Sequence, residues 1–197
     1  MTRRTLAIPL LGASLLLSHP AFAHTEAGVA GGLLSGFLHP LTGLDHLVAM
    51  VAVGLWGAQL GRPGIWVLPV CFPAVMALGG VLGVAGVMLP GTESAIALSA
   101  LVLGLAVALS LRVPFAAAAV VVGAFAMFHG YAHGRELPLA ADPLAYGVGF
   151  VTATGMLHAA GILIGTLTRW RGGAQAVRIL GAGIAGLGGV FLAGFTP

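Results

Sequence analysis

From Pro63 to Thr92 the chain carries no charged side chain and no histidine. That run exceeds the roughly 20 apolar residues that a helix needs to cross a hydrocarbon core of about 30 Å. The remainder follows suit, with 59% hydrophobic and 7% charged residues and a mean hydropathy of +1.08. A soluble domain could not cover its surface with so few polar groups. The apolar runs are continuous rather than alternating, which selects helices over a membrane β-barrel. The sequence therefore predicts an all-α, polytopic membrane helix bundle in the lipid bilayer. A net charge of +3 spread over eight basic and five acidic residues gives no basic face for nucleic acid. The lone Cys71 excludes both a disulfide framework and a thiolate metal cage.

Residues 1–23 read as a cleavable signal peptide. Arg3 and Arg4 form its basic start, Leu6 to Leu17 its apolar stretch, and Ala21-Phe22-Ala23 the small-x-small cleavage site. The mature chain, 24–197, would then open at His24, where amine and imidazole together make a candidate metal chelate; the alternative is a frayed, unliganded terminus. Ala27 to Leu38 is too short to span, reaching about 18 Å, and is expected to dip into or lie along the outer half of the membrane, ending at Pro40. Six full spans follow, near Thr42–Leu60, Gly64–Met88, Glu93–Leu111, Pro114–His133, Pro143–Leu167 and Ala176–Phe195. Prolines mark their boundaries. Cleavage puts the new N-terminus outside, in the periplasm of an inner-membrane protein. The loops holding Arg62, Arg112, Arg169, Arg171 and Arg178 then fall on the cytoplasmic side, against Arg135 alone outside, in keeping with the positive-inside bias. Glycine spacings such as Gly79/Gly83, Gly161/Gly165 and Gly57/Gly61 predict close helix packing.

Polar residues concentrate in two segments of this apolar chain. His39-Pro40-Leu41-Thr42-Gly43-Leu44-Asp45-His46 precedes the first span, and Phe128-His129-Gly130-Tyr131-Ala132-His133-Gly134-Arg135-Glu136 closes the fourth. Each such group is costly in the membrane unless it is paired, wetted or bound to an ion. Thr42 and Asp45 fit a capping box, which would account for Asp45 but not for His39 or His46. A helix N-terminus favours neutral imidazole, with a lone pair free for metal. His129 and His133, four apart, share one helix face, a spacing used by paired-histidine sites. His158 lies mid-span in the fifth helix, one turn from Thr154, either as a pathway lining or as a histidine bonded to a neighbouring helix. Met50 and Met127 are expected to pack rather than ligate, and Asp142 and Glu93 to cap their helices.

Imidazole with carboxylate suits nickel, cobalt, zinc or copper(II). The membrane potential suffices to drive entry, since a divalent ion crossing about 100 mV gains roughly 4.6 kcal/mol. The sequence thus predicts one outward-facing site of His39, Asp45, His46, His129 and His133, with Glu136 peripheral and His158 deeper. A rival use of the same residues is an intramembrane zinc hydrolase with Asp45 or Glu136 as base.

At these motifs the chain resembles the HupE/UreJ family of nickel permeases, the membrane accessory proteins of hydrogenase and urease systems. The likeness rests on the signal, the start at His24, His39-Pro40…Gly43…Asp45-His46 and Phe128-His129-Gly130…Ala132-His133-Gly134…Glu136. It implies a six-span importer of nickel, with cobalt as a second cargo. The ion would be cargo, with no permanently bound cofactor and no catalytic residues.

Overall fold

The computed structural model describes residues 28–137 and 141–194. The signal peptide, the start at His24 and the end of the last expected span at Phe195 lie outside the described residues. Among the described residues seven helices run in chain order: α1 Gly28–Thr42, α2 Leu44–Leu60, α3 Gly64–Val84, α4 Thr92–Ala108, α5 Phe115–Arg135, α6 Pro143–Gly165 and α7 Arg171–Gly194. A 3-10 turn at Thr166–Arg169 joins the last two. The described residues contain no strand beyond an isolated bridge between Gly28 and Ala141.

Helices α3, α5, α6 and α7 are long and apolar enough to cross a membrane. The α1–α2 pair passes the same test jointly but bends by 80° at its break, and α4, with 17 residues, is shorter. Large apolar side chains face outward, among them Trp66, Val70, Val81 and Val120. This is the polarity expected of a bundle whose solvent is lipid.

Glycine sets the pairings. A methyl group added at Gly79 would collide with the Met127 carbonyl, and one at Gly130 with the Met76 carbonyl. So α3 and α5 run side by side in the same direction, nearly backbone to backbone. Likewise α2 lies on the second half of α6, with Gly54 against the His158 carbonyl and Gly161 against that of Val51. In α1, Gly32 and Gly36 meet the backbone at Asp142 and Tyr146 on the first half of α6. Helices α4 and α7 instead run antiparallel, with Gly104 on Ala185 and Gly188 on Leu101. The glycine pairs read from the sequence therefore mark real seams, except that Gly61 caps α2 at φ +72°.

Several boundaries differ from the sequence reading. Pro40 lies inside α1 rather than ending it. The missing proline donor interrupts one bond, while Gly43 N–H and the Thr42 hydroxyl both reach the His39 carbonyl, at 3.3 and 2.9 Å, and close the last turn. The break falls at Gly43, which is extended at φ −81°, ψ 107°. Thr42 is thus committed to α1 and no capping box forms. Asp45 turns to its neighbour His46 instead, accepting from His46 N–H at 2.8 Å. Glu93 does not cap α4: left-handed Gly91 holds the N-cap, and Thr92 Oγ1 bonds back to Leu89. Asp142 does cap α6, accepting from Ala145 N–H at 2.7 Å.

Helix α3 stops at Val84, ahead of Gly86 at φ +71°, and α7 begins at Arg171, earlier than expected. Arg178 therefore lies within a helix. Its Nε donates to the Ala108 carbonyl at 2.9 Å, while Gln59 reaches Val107 and Trp56 reaches Leu111. Three side chains thereby bond carbonyls at and just past the end of α4.

Candidate metal site

The bend at Gly43 carries His39 and His46 to the end of α5 where His129 and His133 emerge. Gly130 and Gly134 face α3, while His129 and His133 face the rings of α1 and α2. Ring centroids lie 4.7 Å apart for His39 and His133, 4.4 Å for His46 and His133, and 4.7 Å for His46 and His129. The chain thus brings together four rings from three helices. Two groups have ligand atoms all within 4.8 Å of one another: His46, His129 and His133, and His39, His133 and Glu136. They share His133.

Hydrogen bonds fix what each ring presents. Asp45 Oδ1 lies 2.9 Å from His46 Nδ1. A carboxylate only accepts, so Nδ1 carries a proton, and in the neutral ring the lone pair sits on the buried, unpartnered Nε2. His129 Nε2 lies 2.9 Å from Ser99 Oγ, whose own proton goes to the Ile96 carbonyl at 2.6 Å. The hydroxyl must then accept from Nε2–H, which leaves the unpartnered Nδ1 of His129 as an electron-pair donor. Such outer partners orient metal-binding rings and set their tautomers. His133, with neither nitrogen hydrogen-bonded, packs its ring 4.0 Å from that of Phe150.

Glu136 is less peripheral than the spacing predicts. Its Oε2 stands 3.2 Å from His39 Nε2 and 3.8 Å from His133 Nδ1. The contact with His39 holds the carboxyl below its ordinary range, against the opposing effect of partial burial. Asp45 belongs to neither group and acts through His46. His158 lies apart: the fully buried Phe72 ring sits between it and His129, at 5.3 and 5.5 Å. Met50 is packed in the core. His24 lies outside the described residues.

Ser99, Phe72 and Phe150 escaped the sequence reading. Ser99, the serine set deep in the apolar part of α4, was a usable signal, because a buried hydroxyl needs a partner. The two phenylalanines look like any other core residue.

The family model of the HupE / UreJ protein matches residues 12–191. Protein HupE of Rhizobium leguminosarum bv. viciae is 45% identical over 179 residues, covering 90% of this chain and 94% of that protein. No solved structure matches. With both motifs inside the matched region, the chain belongs to the HupE/UreJ family.

Proposed function

We propose that this protein is a permease that admits nickel, and cobalt as a second cargo, through the His39–His133 cluster, in support of hydrogenase or urease maturation. The observation that carries the reading is the pair of ligand groups joined at His133. Glu136 and His39 are partly exposed, whereas His46, His133 and His129 are buried. An ion would meet the carboxylate and His39 first, then exchange them for His46 and His129 while His133 stays bound. Because the groups share a ligand, filling one competes with filling the other, and the ion moves instead of being stored. Neutral nitrogen donors with one carboxylate suit nickel or cobalt, but zinc shares these preferences.

In this reading six segments cross the inner membrane: α2 with α1 bent against it at the periplasmic side, then α3 to α7 in turn. The helix directions support it, since strict alternation makes α3 parallel to α5, α2 parallel to α6, and α4 antiparallel to α7. The signal at 1–23 and the arginine distribution support a periplasmic N-terminus. In a Cys71→Ser background, an external thiol reagent should label Met88→Cys and spare Gly172→Cys; the reverse would refute the orientation.

Uptake tests the function. His46→Ala and His129→Ala should each abolish nickel entry into cells at normal protein abundance, and the double variant should be no worse, because residues of one site are non-additive. Additive partial losses would mean separate sites, and unimpaired uptake would leave the histidines without a transport role. Zinc that survives purification together with peptide or ester hydrolysis would favour the hydrolase.

A further inference from the structure

Past Phe72, the bundle holds a second concentration of unpartnered polar atoms. His158 and Thr154, one turn apart on α6, are 1% and 0% exposed. Both ring nitrogens of His158 and the Thr154 hydroxyl lack a hydrogen-bond partner. Threonine in a helix usually bonds back to the preceding turn; here it does not. Buried polar atoms left unmatched are uncommon and point to water or an ion between them.

The helix opposite supplies a free acceptor. Pro69 and Pro73 both lie inside α3. Proline has no N–H, so Pro73 cannot bond the carbonyl four residues back, which is that of Pro69. The freed Pro69 carbonyl faces the His158 ring, without forming a hydrogen bond of good geometry. Non-helical bonding at membrane depth is tolerated where backbone groups line a site.

We propose that His158, Thr154 and the Pro69 carbonyl form an inner cation site, separated by the Phe72 ring from the outer histidine cluster. One imidazole, one hydroxyl and one carbonyl are neutral, and fewer than a divalent transition ion needs. The ion would keep part of its water shell and be held loosely. That suits a transfer station, in contrast to the imidazole-rich outer groups. This inference rests on the permease reading and extends it inward.

The full-length protein in detergent and in vesicles gives the test, with nickel uptake and nickel stoichiometry by equilibrium dialysis as readouts and cobalt(II) absorption as a probe of each site. Wild type should bind two ions, and His158→Gln should lose the weaker one while the stronger signal of the outer cluster stays. Its initial uptake should fall about tenfold. Thr154→Val, close to isosteric, should act in the same direction. Pro73→Ala returns an N–H to the Pro69 carbonyl and should slow uptake about two- to tenfold at unchanged protein abundance. It keeps the test decisive if His158→Gln fails to fold. His158→Gln or Pro73→Ala protein with wild-type uptake and both ions bound would overturn the inner site alone. A wild-type protein that neither binds nor moves nickel would overturn the permease reading, and the inner site with it.

Discussion

The two ends of this histidine path are built differently. At the outer end each of three rings has a named partner: Asp45 for His46, Ser99 for His129 and Glu136 for His39. At the inner end His158 has only the Pro69 carbonyl facing its ring, short of a well-formed hydrogen bond. Partners cost freedom but fix a ring and its proton, so the lone pair is aimed before an ion arrives. Under the proposed permease role, the outer region would be preorganised to select an ion and the inner region loose enough to release it. Partner groups, rather than ligands, are therefore where the difference between the two ends can be probed.

The largest expected effect comes from Asp45→Ala. It leaves His46 Nδ1–H buried without an acceptor and frees the ring to turn, so metal affinity should fall about 100-fold. Calorimetric titration of purified protein with nickel measures this; a change below threefold would erase the contrast between the two ends. Ser99→Ala removes a neutral acceptor and should cost about tenfold in affinity. Stability should also drop by about 1–3 kcal/mol, because the Nε2–H of fully buried His129 is left unpaired. Chemical denaturation of the metal-free variant checks the second part, and intact stability would mean that water replaces the hydroxyl. Smallest is Glu136→Gln at the half-exposed rim, where a two- to fivefold loss is expected. That loss should appear in uptake at limiting nickel and vanish at saturating nickel. A loss that persists at saturation would place Glu136 among the tightly held ligands.

Much of this arrangement was legible in the sequence for one reason: polar groups are expensive in an apolar chain, so those present stand out. That logic singled out His39, Asp45, His46, His129, His133, Glu136 and His158 before any geometry. It could not find roles that depend on rotation about a single bond. Asp45 sits three residues after Thr42, as a capping residue would, yet its carboxylate points to His46 because Thr42 already belongs to the preceding helix. Pro40 looked like a stop, but a proline close to a helix end interrupts little, and the glycine three residues on made the break. The short α4 was overestimated because hydropathy continues past Ala108 while the backbone does not. Phe72 and Phe150 give no compositional signal, since position alone sets them apart from other core rings.

The elbow at Gly43 has a bearing on how such a sequence can change. His39 closes one helix and His46 opens the next, so the segment between them works as a ruler whose length is part of the site. A single residue inserted after Gly43 would rotate α2 by about 100° relative to α1, swinging His46 away from His129 while leaving every side chain chemically intact. The linker from Val87 to Gly91 carries no member of either ligand group and is free of that constraint. Among relatives, insertions and deletions should gather in such linkers and spare the interval from His39 to His46, which makes that spacing a sharper marker of a working site than the identity of the apolar residues around it.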